Sequence, residues 1–120
     1  MTRRRVVTVV PDLFFATRIA ETAARLGVLL EPCAPEAALA AIRRDQPDLV
    51  IVDLHAAGDP LALVRALKSD PQAQSVPLAG FYAHVDRAVR EAALAAGADH
   101  VLPRSAFTAR LPHLLAGEQK

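Results

Sequence analysis

Asp48-Leu49-Val50-Ile51-Val52-Asp53 is an apolar run bounded by carboxylates. A carboxylate held at the end of a buried strand can attack as a nucleophile, ligate a metal ion or cap the helix that follows. Asp12, Tyr82 and Arg104 stand at the ends of other apolar runs, Arg5 to Val10, Val76 to Tyr82 and Ala98 to Leu102. If those runs are parallel strands, all four side chains gather outside the carboxyl ends of one sheet, where open α/β folds bind their ligands. The chemistry on offer is then a carboxylate at Asp53, an acidic neighbour at Asp12, a phenol at Tyr82 and a fixed cation at Arg104. An arginine so placed can fork onto a carboxylate with two parallel hydrogen bonds. An Asp53 to Arg104 ion pair is therefore expected. Asp12 precedes a helical pattern and reads as its cap.

Other reaction classes find less support. Cys33 is the sole cysteine, which excludes an intramolecular disulfide and a Cys-x-x-Cys pair. His84, His100 and His113 are too scattered for a metal site. Ser69, Ser75 and Ser105 lie in no nucleophile-elbow sequence. No catalytic residue is assigned, and the chain reads as a binding module, not an enzyme.

The elements that must position these residues are punctuated by proline, glycine and aspartate. With 120 residues, 52% of them hydrophobic and 22% charged, the chain reads as one domain over 1–120 with an ordered core over about 4–116. Its formal net charge of +1 is spread over interspersed signs, which argues against nucleic-acid binding. No apolar stretch reaches the roughly 18 residues of a membrane span, and Arg3-Arg4-Arg5 leads into no cleavable apolar segment. A cytoplasmic location and no membrane partner are expected.

Arg5 to Val10 is nearly all apolar, the pattern of a strand buried on both faces. Asp12 can cap a helix with Phe15, Ile19, Ala23 and Leu26 on one stripe, closed by Gly27. Val28 to Leu30 is a second strand, and Pro35 opens a helix that buries Leu39 and Ile42. The run to Asp53 is a central third strand. Pro60 to Lys68 is a helix with Leu61, Val64 and Leu67 inward, followed by a strand over Val76 to Tyr82 and a helix over Asp86 to Ala96. Ala98 to Leu102 is a fifth strand, and Ser105 can cap a last helix running to about Leu115, with Pro112 as a kink. Strands alternating with helices demand a doubly wound α/β fold around a five-stranded parallel sheet.

Pro47 to Leu54, Val76-Pro77-Leu78-Ala79-Gly80-Phe81-Tyr82-Ala83 and Ala96-Gly97-Ala98-Asp99 together resemble the receiver domains of bacterial two-component response regulators, over nearly the whole chain. The resemblance implies a flavodoxin-like sheet in the order 2-1-3-4-5, and Asp53 as the phospho-acceptor position. Receivers carry two adjacent acidic residues after the first strand, which with the acceptor organise Mg²⁺. Counting back from Gly27, those places fall to Val10 and Pro11, with Asp12 one residue late. The family's hydroxyl residue after the fourth strand matches Tyr82, and its lysine followed by proline matches Arg104 followed by Ser105. The loop from Leu54 to Pro60 lacks the usual proline and is one residue short. Asp53-Leu54-His55-Ala56-Ala57-Gly58 also has the Asp-x-His-x-x-Gly spacing of cobalamin-binding domains, but it follows the third strand and no Gly-Gly pair accompanies it.

Phe14 and Phe15 are adjacent, so one helical stripe cannot bury both, and one is expected at the rim of the site. Phe81, Tyr82 and Phe107 cluster toward the last two helices, the face through which receivers dimerise or meet partners, and stand as the candidate interaction surface. The reading is a stand-alone pseudo-receiver that acts through protein contacts, homodimeric or with a histidine kinase or downstream regulator. It needs no cofactor, with at most a weak Mg²⁺ site at Asp12 and Asp53. The alternative is an active response regulator phosphorylated on Asp53, and a remoter one is a small-ligand or cobalamin module.

Overall fold

The chain is described by a computed structural model over residues 3–83 and 86–117; His84, one of the scattered histidines, lies outside them. Strands β1 (Arg5–Val9), β2 (Leu29–Pro32), β3 (Leu49–Asp53), β4 (Leu78–Tyr82) and β5 (His100–Pro103) alternate with helices α1 (Leu13–Leu26), α2 (Pro35–Arg44), α3 (Pro60–Ser69), α4 (Arg87–Ala95) and α5 (Arg104–Ala116). All four strand pairings are parallel. The order is β2-β1-β3-β4-β5, as expected.

Both faces of the sheet are covered, which is why its central strands carry unbroken apolar runs. Val6, Leu49, Ile51, Ala79 and Phe81 pack with residues of α1 and α5. Val7, Val50, Val52, Leu78 and Tyr82 pack with residues of α2, α3 and α4. The edge strands β2 and β5 both end in proline, a residue tolerated where no ladder bond is lost.

Several element ends differ from the sequence reading, each for a hydrogen-bonding reason. Val28 and Ala98 do not begin strands, because their N–H groups close the preceding helices by donating to Ala23 O at 2.9 Å and Ala93 O at 3.1 Å. Gly27 and Gly97 make that closure possible with φ of 71° and 107°. Val76 likewise donates to Ala73 O at 3.0 Å in a turn, so β4 starts at Leu78. Ser105 is not a cap: α5 begins at Arg104 behind Pro103, with no side-chain cap bond, and it runs through Pro112.

Away from the carboxyl edge, Asp70 closes α3 and ties it to α2. Its buried carboxylate accepts from Arg43 Nε at 2.9 Å and from the Gln72 N–H at 2.8 Å. The Arg43 hydrogen bond holds the Asp70 carboxyl below the ordinary carboxylate range. The stabilisation is complete above the unfolded value of about 3.9, and is lost as pH falls through that value toward the lower folded one. Asp70→Asn is therefore expected to lower stability at neutral pH and to flatten its decline on acidification. Parallel acid limbs for the two proteins in urea unfolding would contradict this.

Candidate functional site

Asp53 is the last residue of β3 and only 3% exposed. Its Oδ1 accepts the His55 N–H at 2.9 Å, and its carbonyl accepts the Ala56 N–H at 3.2 Å. The aspartate thus folds its own following turn, the local role for which this residue type is suited. Leu54 extends the sheet by one more bond, donating to Phe81 O at 3.0 Å, and buries its side chain over Gly80 of β4.

Asp12 is the N-cap of α1, as expected. Its Oδ1 accepts from the Phe14 N–H at 2.9 Å and the Phe15 N–H at 3.2 Å. Its other oxygen lies 3.8 Å from Nη2 of Arg104. The guanidinium of Arg104 lies over the Phe15 ring, 5.0 Å from its centroid, and 6.0 Å from that of Phe81. Nε of Arg104 is buried without a hydrogen-bond acceptor among the described residues.

The expected Asp53 to Arg104 ion pair is therefore corrected: Arg104 faces Asp12. Aromatic faces explain the choice. Phe15, Phe81 and Phe107 form a stack, with centroids 4.8 Å apart for the first two and 4.6 Å for the last two. A weakly hydrated planar guanidinium lies favourably on such a face, and from there its Nη2 end meets Asp12. Asp53, by contrast, already accepts from its own turn.

The expected gathering of four residues is likewise reduced. Tyr82 alternates with Phe81 along β4, so its ring turns to the opposite face and is buried among Ala93 of α4 and Val101 of β5. It does not line the cleft beside Asp12 and Arg104. Phe81, Tyr82 and Phe107 are all buried within the chain, which corrects their assignment to an interaction surface: both sheet faces are roofed by helices, so neighbouring aromatic residues on a strand are both enclosed.

One contact went unread in the sequence. Nε2 of His55 lies 3.9 Å from Oδ2 of Asp86, the cap of α4, so the loops after β3 and β4 meet beside Asp53. No spacing rule links two residues in separate loops. Leu13 and Phe14 are 81% and 70% exposed at the start of α1, next to the cleft. As expected of this adjacent pair, Phe15 takes the core and Phe14 the rim, where Arg18 lies 5.5 Å from its centroid.

No model of a known protein family matches the chain, and no curated protein does. Solved structures match it across its length. A response regulator of Chloroflexus aurantiacus described as putative is 23% identical, with a TM-score of 0.83, covering 96% of this chain and 99% of that one. A chemotaxis response regulator of Vibrio cholerae is 19% identical, with a TM-score of 0.82 and coverage of 97% and 98%. The receiver domain of a sensor histidine kinase of Pseudomonas aeruginosa, which holds a magnesium ion in its active-site cleft, is 20% identical, with a TM-score of 0.80 and coverage of 98% and 100%. The chain has the receiver fold.

Magnesium calls for oxygen ligands in near-octahedral array, and the residues present fit it poorly. Val10 and Pro11, directly after β1, bring no carboxylate. Asp12 is committed to the α1 cap and to Arg104. Among the described residues no three of His, Cys, Asp and Glu converge as a metal site.

Proposed function

We propose that this chain is a receiver-like signalling module of the two-component type that acts through protein contacts, independently of phosphorylation. The observation that carries the reading is the state of the cleft. The acceptor-position aspartate is retained at the end of β3, while Asp12 caps a helix and faces Arg104. Phosphoryl transfer to a carboxylate gathers negative charge that a metal ion normally neutralises, and these residues offer no such arrangement. A module of this kind holds one conformation by sequence and presents it to a partner. The partner is a protein: a histidine kinase, a downstream regulator or a second copy of the chain. The module is cytoplasmic, carries out no chemistry and requires no cofactor.

Asp53 itself favours a second reading. A carboxylate at the acceptor position of a receiver fold suits phosphorylation by a histidine kinase, with Arg104 swung from Asp12 toward the acyl phosphate. Titration with Mg²⁺ and beryllofluoride, a mimic of an acyl phosphate, separates the two. The phosphorylation-independent module is expected to give no saturable change at Asp53.

A further inference from the structure

We infer that Arg104 is the resident cation of the cleft, holding Asp12 in place of a divalent ion. Three observations converge on this residue. Its Nη2 is 3.8 Å from Asp12 Oδ2. Its charged plane rests over Phe15 and Phe81, two of the three clustered rings. Its Nε is buried with no acceptor among the described residues. A buried donor left unpaired is unfavourable, so this seat must be held by something that outweighs the loss. The carboxylate of Asp12 and the aromatic faces are the groups present to do it.

The consequence is a cleft whose positive charge is covalently attached. As the first residue of α5, Arg104 bridges to the cap of α1 over one ring from α1 and one from β4. A metal ion beside Asp12 would compete with this guanidinium for the carboxylate. The inference deepens the phosphorylation-independent reading and rests on it in one respect, that the wild-type cleft takes up no Mg²⁺.

The test is a double-mutant cycle in urea unfolding, with and without millimolar Mg²⁺, on the wild-type chain, Asp12→Asn, Arg104→Gln and the double variant. Asparagine caps a helix as well as aspartate does, so Asp12→Asn removes the charge and keeps the cap. The cycle is expected to show coupling of about threefold in the unfolding constant, the scale of contacting charged pairs, with Arg104→Lys retaining most of the wild-type value. Mg²⁺ is expected to stabilise Arg104→Gln, and to leave the wild-type chain and the double variant unchanged. Additive effects, or coupling with no Mg²⁺ response in Arg104→Gln, would overturn the inference and leave the phosphorylation-independent reading standing. Stabilisation of the wild-type chain by Mg²⁺ would instead remove that reading.

Discussion

Phe81→Ala is expected to destabilise the protein by about 3–5 kcal/mol, the cost of deleting a fully buried aromatic ring and leaving a cavity. Phe81 has no exposed surface and stacks on both Phe15, at 4.8 Å, and Phe107, at 4.6 Å. Removing this ring leaves a void beside Phe15 of α1 and Phe107 of α5, which lie 6.0 Å apart, and takes away part of the seat beneath Arg104. Single domains are stable by only about 5–15 kcal/mol in total, so the variant should lie near its unfolding threshold at room temperature. Phe81→Leu, which retains most of the volume, should cost much less. Urea unfolding of the two variants checks the argument: a loss under about 1 kcal/mol for Phe81→Ala would mean that the stack is not the packed core described here.

Gly80→Val has the next largest expected effect, for the opposite reason. A Cβ at Gly80 would lie 2.9 Å from Cδ1, 3.0 Å from Cγ and 3.2 Å from Cδ2 of Leu54. Leu54 is buried and directly follows Asp53, so it can yield only by shifting the turn that the Asp53 carboxylate holds. Overpacking of this kind costs about 1–3 kcal/mol. The strain should also reach the site, moving the amide resonances of Leu54, His55 and Ala56. Trimming Leu54 relieves the clash, so Gly80→Val with Leu54→Ala is expected to lose less than the sum of the two single losses. Strict additivity would contradict the contact.

The order of elements was legible because β-branched runs, glycine stops and proline starts agree with one another along the chain. Asp12 as a cap and Gly27 as a stop were both read correctly, since capping is a local matter of a few neighbouring amides. Strand starts were not. Val28 and Ala98 have apolar side chains suited to strands, but their amides are already spent on closing helices, and side-chain pattern carries no record of that. The receiver fold was legible from the third and fourth strands together. The pairing at its centre was not. Where a long side chain such as Arg104 comes to rest depends on which surfaces lie beside it, and the stack of Phe15, Phe81 and Phe107 is assembled from residues distant in sequence. The burial of Phe81 and Tyr82, by contrast, could have been deduced. Adjacent residues in a strand point to opposite faces, and a sheet roofed on both faces encloses both.

A cleft that keeps one state without metal or phosphate fixes the outcome of an NMR titration of the wild-type chain with Mg²⁺, then with Mg²⁺ and beryllofluoride together, following the amides of Asp12, Asp53, His55 and Arg104. The expected result is no saturable shift at millimolar Mg²⁺ in either series, and spectra of Asp53→Asn that respond no differently. Saturable shifts around Asp53 that vanish in Asp53→Asn would contradict the account and make the chain a phosphorylation switch.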